Sequence, residues 1–226
     1  MILTVANLTI RILPDKQYLS LDYSPCHEKF LVDARDFQQD KKSTEKSLLL
    51  QIRDTPDFLH SQLTRLLCEN EIWQLWLDER ENFIFTQPKQ TSQRWIKIDP
   101  DFQHGEIIGN FSKFDQNGVY PLQYIDIVIF SNWLANFGDM ILHASGFAYR
   151  GEGYCFLGDS GAGKSTLVRD LTKKAGVTVL GEDQVVLRRR EDQFMIFGTP
   201  WHETPDMCSP LGVPLKKVFF LDRDAF

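Results

Sequence analysis

The first half of the chain alternates short apolar runs with polar turns. Residues 4–13 predict a strand, and residues 71–111 hold several apolar and aromatic runs whose alternation predicts antiparallel strands. Leucines near one face predict a short helix over residues 56–68. We therefore expect a β-rich, α+β region over residues 1–117, which could be a substrate or partner module and in which no chemical motif occurs.

Apolar residues take up a helical period after residue 120. Ile125, Ile129 and Trp133 recur every fourth residue, which predicts one buried face of a helix over residues 121–136. A proline opens this helix, and Gly138 is a suitable stop signal.

Apolar runs after this helix predict strands at residues 140–150, 153–157 and 177–180, and alternating residues continue over 184–190. Because a helical pattern lies between the second and third runs, we expect an α/β domain over residues 118–226.

Composition narrows the possible functions. The chain has 226 residues and a formal net charge of −6, which argues against a general nucleic-acid binder because phosphate backbones need clustered cations. The one dense basic run, residues 188–190, has two interpretations: a solvated hairpin end, or a contact to an acidic substrate.

The four cysteines form no CxxC pair and no cluster with histidines, so we expect no structural zinc site. Cys155 falls in an apolar run and is expected to be a buried, reduced thiol, which suits a reducing compartment. The sequence predicts neither a signal peptide nor a membrane span. We therefore predict a cytoplasmic protein with no membrane partner.

The sequence GDSGAGKST completes the phosphate-loop pattern GxxxxGK(S/T). A predicted strand precedes it and a helical pattern follows it, which is the order that this motif requires. The predicted nucleotide-binding residues are Gly158, Asp159, Ser160, Gly161, Ala162, Gly163, Lys164, Ser165 and Thr166.

Each part of this loop has a physical task, and together these tasks predict ATP and Mg²⁺ as ligands. Glycines let the backbone turn so that N–H groups point at phosphate oxygens, and the helix N-terminus adds a positive dipole end. Lys164 would reach the β- and γ-phosphates, and the Ser165 hydroxyl would take a place on Mg²⁺.

Phosphoryl transfer also needs a carboxylate for the metal and a group that takes the proton from an attacking hydroxyl. Glu182 and Asp183 follow the strand after the loop helix, so one could hold Mg²⁺ and the other could act as base. His143 is a third candidate, because its strand leads by a tight turn into the strand of the phosphate loop. A lone histidine of this kind is more often a hydrogen-bonded core residue.

The combination of His143, the phosphate loop and the Glu182–Asp183 pair resembles HPr serine kinase/phosphorylase and related kinases over residues 139–190. The resemblance implies an α/β fold, with a P-loop kinase core of the HPr-kinase/PEP-carboxykinase type beside the β-rich N-terminal region. Residues 197–201 resemble a segment of the broader HPr-kinase-like group. Members of the family often assemble, so the resemblance also implies a possible homo-oligomer.

The resemblance assigns roles to the candidate residues. Ser165 and Glu182 would serve the metal, and Asp183 would be the base. His143 would support the phosphates or Asp183. Lys164 is the third predicted catalytic residue, because the loop motif itself brings it to the β- and γ-phosphates. Which acidic residue has which role stays open at this point.

The chain also departs from the family pattern. Thr166 stands where the family has an acidic residue, the acidic pair is Glu-Asp instead of Asp-Asp, and no LE(I/V)RG-type segment follows. The phosphorylase reaction and HPr as substrate are therefore not implied. Relatives often continue beyond the last apolar run of this chain, which fits a short member, a truncated product or a degenerate copy.

These patterns predict an ATP-dependent kinase that acts on a hydroxyl, with serine as first candidate, of an unidentified peptide, protein or small metabolite. Two alternatives stay open: a non-catalytic nucleotide-binding regulatory or interaction protein, and a PEP-carboxykinase-like enzyme. An ABC-transporter ATPase is rejected, because the remaining residues lack its signature motif and its Asp-Glu strand.

Overall fold

The computed structural model describes residues 1–13, 24–33, 46–55, 62–87, 94–111 and 120–222. The chain divides into two compact units. The first is built mainly from residues before position 130, and the second from residue 130 onward together with segments 4–6 and 24–31.

Strands dominate the described residues. In chain order the strands are β1 (Ile2–Val5), β2 (Leu8–Leu13), β3 (Lys46–Asp54), β4 (Arg65–Glu69), β5 (Gln74–Leu77), β6 (Phe83–Thr86), β7 (Arg94–Ile98), β8 (His104–Gly109), β9 (Met140–His143), β10 (Ser145–Tyr149), β11 (Glu152–Gly158), β12 (Val177–Gly181), β13 (Gln184–Arg190), β14 (Gln193–Phe197) and β15 (Gly212–Leu221). The helices are α1 (Pro25–Glu28), α2 (Asp126–Ala135) and α3 (Lys164–Leu171), and a 3₁₀ turn covers Pro205–Met207.

An eight-stranded mixed sheet has the order β1-β2-β3-β8-β7-β6-β5-β4. The pairs β2–β3 and β3–β8 are parallel, whereas β4 to β8 pair antiparallel in sequence order. The antiparallel strands predicted within residues 71–111 are therefore confirmed. Ile84, Trp95 and Ile108 form a buried cluster on this sheet.

Two details of the first half were predicted wrongly. The single strand over residues 4–13 is two strands, because Ala6 and Asn7 adopt φ values of 50° and 63°. Two consecutive left-handed residues form the tight turn that suits the twist of a hairpin. In the predicted helix over residues 56–68, Arg65–Glu69 is instead strand β4, paired with β5. Residues 56–61 lie outside the described residues.

The second sheet has the order β12-β10-β11-β15-β14-β13-β9. Among its described strand pairs only β11–β15 is parallel. The expectation of an α/β P-loop kinase core is therefore wrong: this unit consists mainly of β-strands in a mixed sheet, with little helix.

Short connections explain this correction. Two residues, Arg150 and Gly151, join β10 to β11, and two residues, Glu191 and Asp192, join β13 to β14. Such connections give antiparallel hairpins, whereas neighbouring parallel strands need a crossover of a dozen or more residues. An apolar run predicts a buried strand but not the direction of its neighbours.

Both faces of the strands around the phosphate loop are apolar. One face contributes to a buried cluster that includes Ala144, Cys155 and Val185. On the other face, Phe147 and Val179 cluster with Val168 of α3. Helix α3 is thus held against the sheet by its apolar side, which fixes its first turn beside the end of β11.

The predicted helix over residues 121–136 is shorter than expected. Helix α2 covers only Asp126–Ala135, because residues 121–125 form turns. Its predicted buried face is confirmed at Ile129 and Trp133, and Ile125, one residue before the helix, is buried as well. The chain leaves the helix through Gly138, whose φ is 70°.

The basic run is largely structural. Arg188 is buried and its Nε donates to Asp139 Oδ2 at 2.6 Å, while a terminal nitrogen donates to the Ala6 carbonyl oxygen. The backbone N–H of Arg189 donates to the other Asp139 oxygen at 2.9 Å. For Arg188, both interpretations drawn from the sequence are wrong, because its charge is satisfied inside the protein.

The described cysteines are free, and only Cys68 is exposed. Burial raises the pKa of Cys155 to about 11, which fits the predicted buried thiol. Among the described residues, none of the helices is long and apolar enough to cross a membrane.

Candidate functional site

The phosphate-loop sequence lies between strand β11 and helix α3, as predicted. Three of its glycines adopt positive φ values: 152° at Gly158, 77° at Gly161 and 94° at Gly163. A Cβ atom at Gly158 would lie only 2.5 Å from the Leu221 carbonyl oxygen, so glycine is required there by both conformation and space. Such left-handed residues let successive backbone N–H groups form an anion-binding concavity.

Lys164 is buried and folds back over the loop. Its Nζ donates to the carbonyl oxygens of Gly158 at 2.8 Å and of Asp159 at 3.0 Å. These two carbonyls hold the ammonium group at the beginning of the loop. Phosphate oxygens are stronger acceptors than neutral carbonyls, so a bound phosphate can compete for the same N–H groups.

The acidic segment lies directly beside the first turn of α3. The Glu182 carbonyl oxygen accepts hydrogen bonds from Ser165 Oγ at 3.3 Å and from Ser145 Oγ. The Asp183 carbonyl oxygen accepts a 2.9 Å hydrogen bond from the N–H of Ala144. The structure therefore brings together the loop serine and the acidic pair, two parts of the site that are far apart in the sequence.

The side chain of Glu182 points inward and is held by Arg169. Its side chain is only 8% exposed, and its Oε2 accepts from Arg169 Nε at 3.1 Å and Nη2 at 2.8 Å. Charge-assisted hydrogen bonds to a fixed guanidinium are strong. Glu182 is thus neutralised by a protein cation, which makes it a poorer metal ligand than a free carboxylate.

Asp183 and His143 form a pair that faces solvent. His143 Nδ1 lies 3.1 Å from Asp183 Oδ1, and the two side chains are 57% and 51% exposed. The pair is set by register, because His143 lies opposite Gln184 where β9 meets β13. With the proton on Nδ1, His143 donates to Asp183 and orients its carboxylate. Of the two acidic residues, Asp183 is the one accessible to a substrate.

His202 is a further component that the sequence did not predict. Its Nε2 lies 2.9 Å from Thr199 Oγ1, which itself donates to the Gln184 carbonyl oxygen at 2.8 Å. Burial lowers the pKa of His202, and the charges of Glu182 and Asp183 partly oppose this shift. Burial therefore favours the neutral form of this ring, which packs against the backbone at Gly181, directly before the acidic segment.

Close packing brings His202 to this position. A Cβ atom at Gly181 would lie 2.7 Å from His202 Nε2, so only glycine lets the ring approach the backbone there. Neither His202 nor Arg169 shows a signal in the sequence, because each meets the acidic segment through the fold and not through a local motif. The similarity of residues 197–201 to a segment of HPr-kinase-like proteins pointed to the region before His202 but assigned no role to either side chain.

The residues present fit a magnesium-bound triphosphate. Mg²⁺ is typically held by one or two protein oxygens, with substrate phosphates and water completing its shell. The Ser165 hydroxyl and the accessible Asp183 carboxylate are such oxygens. No cluster of three or more His, Cys, Asp or Glu side chains suited to a metal occurs in the part of the chain that the structure describes. A metal here would therefore depend on the phosphates for most of its ligands.

No protein-family model matches the chain, and a search of curated proteins finds no match.

Proposed function

We propose that the protein is an ATP-dependent kinase that transfers the γ-phosphate to a hydroxyl group of a peptide, protein or small metabolite, with serine as the first candidate. The observation that carries the proposal is the position of the Asp183–His143 pair. Asp183 directly follows Glu182, whose backbone carbonyl oxygen accepts the Ser165 hydrogen bond. The Asp183 carboxylate, with His143 beside it, therefore lies next to the phosphate loop. The resemblance of residues 139–190 to HPr serine kinase/phosphorylase supports the same reaction class.

The reaction assigns each of these side chains a task. The acceptor oxygen forms a bond to the γ-phosphorus, the bond from that phosphorus to the β,γ-bridging oxygen breaks, and the acceptor proton passes to Asp183. His143 holds the Asp183 carboxylate through its Nδ1–H. Lys164 exchanges its two loop carbonyls for phosphate oxygens. A Mg²⁺ ion held by the Ser165 hydroxyl and the phosphates would supply neutralisation of the phosphate charge.

Glu182 has a different task in this proposal from the one that the resemblance implies. Because Arg169 holds its Oε2, Glu182 serves the site by fixing helix α3 against the acidic segment. The Ser165 hydroxyl then provides the protein oxygen for the metal, and Asp183 remains available as the base. We further propose that the kinase acts in the cytoplasm, where its free thiols remain reduced, and that it forms a homo-oligomer.

Thermal unfolding with and without Mg·ATP tests nucleotide binding. A ligand at about 100 times its dissociation constant stabilises the native state by about 2.7 kcal/mol. We expect this stabilisation in the wild type and its loss in Lys164→Ala. Lys173→Ala is the matched control, because Lys173 is exposed just beyond the same helix, where its Nζ pairs with Asp170 at the surface. Equal stabilisation of wild type and Lys164→Ala by Mg·ATP would refute the assignment of residues 158–166 as the phosphate-binding loop.

Transfer from Mg·ATP to a degenerate serine-peptide library tests the chemistry. General-base catalysis contributes about 10²–10⁴-fold, so Asp183→Asn should lower transfer by at least about 10²-fold while ATP still stabilises the protein. Asp192→Asn, in the exposed turn between β13 and β14, is the control. Undiminished transfer by Asp183→Asn would exclude Asp183 as the base.

A second candidate function is a nucleotide-binding regulatory protein without turnover. The Arg169–Glu182 pair favours it, because the carboxylate that the resemblance assigns to the metal is already neutralised. The two experiments separate the candidates. Stabilisation by Mg·ATP without transfer to any hydroxyl acceptor would favour the regulatory protein.

A further inference from the structure

The order of strands gives the phosphate loop two different sides. Strand β11, which leads into the loop, has β10 on one side and β15 on the other. The acidic segment lies on the β10 side, because Ser145 at the start of β10 hydrogen-bonds to Glu182. On the β15 side, Leu221 lies opposite Gly158, directly where the loop begins.

These two sides define a direction for a bound nucleotide. Ser165 and Asp183 would meet the γ-phosphate and its metal, so the reacting end lies toward β10. The nucleoside end of an extended triphosphate then lies on the other side of the loop, at the end of β15. Because β11 and β15 are parallel, both strands end at the same edge of the sheet.

An aromatic side chain lies at this end of β15. Phe220 is 79% exposed and lies opposite Leu157, one residue before the loop glycine Gly158. Its neighbour Phe219 behaves differently, because it packs against Phe156 with ring centroids 5.3 Å apart. The alternation of the strand therefore places Phe219 on the face that packs against α3 and Phe220 on the opposite face, where it is accessible at the end of the strand next to the loop.

We propose that Phe220 is the stacking platform for the nucleobase of the bound nucleoside triphosphate. The inference rests on the proposed nucleotide binding and adds a base-binding subsite to it. Every nucleobase has a flat aromatic face that can stack on a phenyl ring. Stacking on one aromatic side chain therefore does not distinguish bases, because it makes no hydrogen bonds to their edges. The protein should therefore accept adenine and guanine nucleotides with similar affinity.

Binding of two probes to the full chain tests this subsite. Titration calorimetry compares the non-hydrolysable β,γ-imido analogue of ATP with inorganic tripolyphosphate, each with Mg²⁺. Loss of a stacked aromatic weakens nucleotide binding by about 5- to 150-fold. We expect Phe220→Ala to show this loss for the ATP analogue but not for tripolyphosphate, which has no base. Phe220→Trp should retain binding of the analogue.

Phe194→Ala is the matched control. Phe194 is a second exposed phenylalanine, but it lies in β14 opposite Arg189, at the hairpin end of the sheet. Its replacement should change neither affinity. An unchanged affinity of Phe220→Ala for the ATP analogue would overturn the subsite, as would an equal loss for both probes. Failure of the wild type to bind either probe would instead overturn the proposed function, and the subsite with it.

Discussion

Removal of the Asp139 carboxylate should be among the most destabilising single changes in the second unit. Asp139 and Arg188 are each 2% exposed at the side chain, and Nε of Arg188 lies 2.6 Å from Oδ2. The other carboxylate oxygen accepts from the backbone N–H of Arg189. Asp139→Ala would therefore leave a guanidinium and a backbone donor without this acceptor in a water-poor environment.

The size of the effect follows from burial. Breaking a buried ion pair by removing one partner costs about 3–5 kcal/mol, because the remaining charge stays buried without compensation. For a chain of this length, each kcal/mol lowers the unfolding midpoint by about 2–4 °C. We expect Asp139→Ala to lower the midpoint by about 6–20 °C. Arg189→Met, whose exposed side chain lies on the same strand, should change the free energy of unfolding by less than about 0.5 kcal/mol.

Urea unfolding of four proteins measures the interaction free energy between Asp139 and Arg188. The four proteins are the wild type, Asp139→Leu, Arg188→Met and the double variant. Apolar residues of similar volume often replace a buried ion pair at little cost, so the double variant should be more stable than either single variant. If Asp139→Ala cost less than about 1 kcal/mol, or the double variant lost as much as the two single variants combined, the explanation from an uncompensated buried charge would be refuted.

Two further predictions concern titration and thiol reactivity. Burial alone would raise the pKa of Asp78, but hydrogen bonds from Lys97 and Asn82 outweigh it and lower the pKa from 3.8 to about 2. This depressed pKa raises the free energy of unfolding above about pH 4, and the contribution is lost as the pH falls towards about 2. Urea unfolding across this range should therefore show a fall in stability in the wild type that Asp78→Asn lacks. Parallel pH profiles of the two proteins would contradict this. A chromogenic disulfide reagent should label the exposed Cys68 rapidly in native protein and the buried Cys155 only after unfolding, because burial raises the pKa of Cys155 to about 11; rapid labelling that persists in Cys68→Ser would disprove this assignment.

Local features of the fold were predictable from the sequence. The phosphate loop requires glycines at its turns and lies between a strand and a helix, and these requirements concern only neighbouring residues. The buried face of α2 was predicted for the same reason, since Ile125, Ile129 and Trp133 report a helical period directly. The helix start was wrong because the turns over residues 121–125 have no distinct apolar pattern.

Features that depend on distant pairing were not predictable. Glu182 meets Arg169 across 13 residues, and Arg188 meets Asp139 across 49. Charge patterns show that such residues exist but not which of them pair, because the pairing is decided by strand order. The direction of the strands was missed for a related reason, since apolar runs look alike in parallel and antiparallel sheets.

The candidate site lies where two long extended segments of the chain, β9–β10 and β12–β13, are each broken by one or two residues. Only Ala144 separates β9 from β10, and only Glu182 and Asp183 separate β12 from β13. At these interruptions the Glu182 carbonyl accepts from the Ser145 hydroxyl and the Asp183 carbonyl from the Ala144 N–H, so the interrupted segments remain fixed. Because Glu182 and Asp183 lie between strands, their side chains do not have to follow the alternating up-and-down directions of a β-strand. A phosphate loop needs only one strand, one turn and one helix, and this mainly β unit provides a rigid frame that positions a carboxylate beside them.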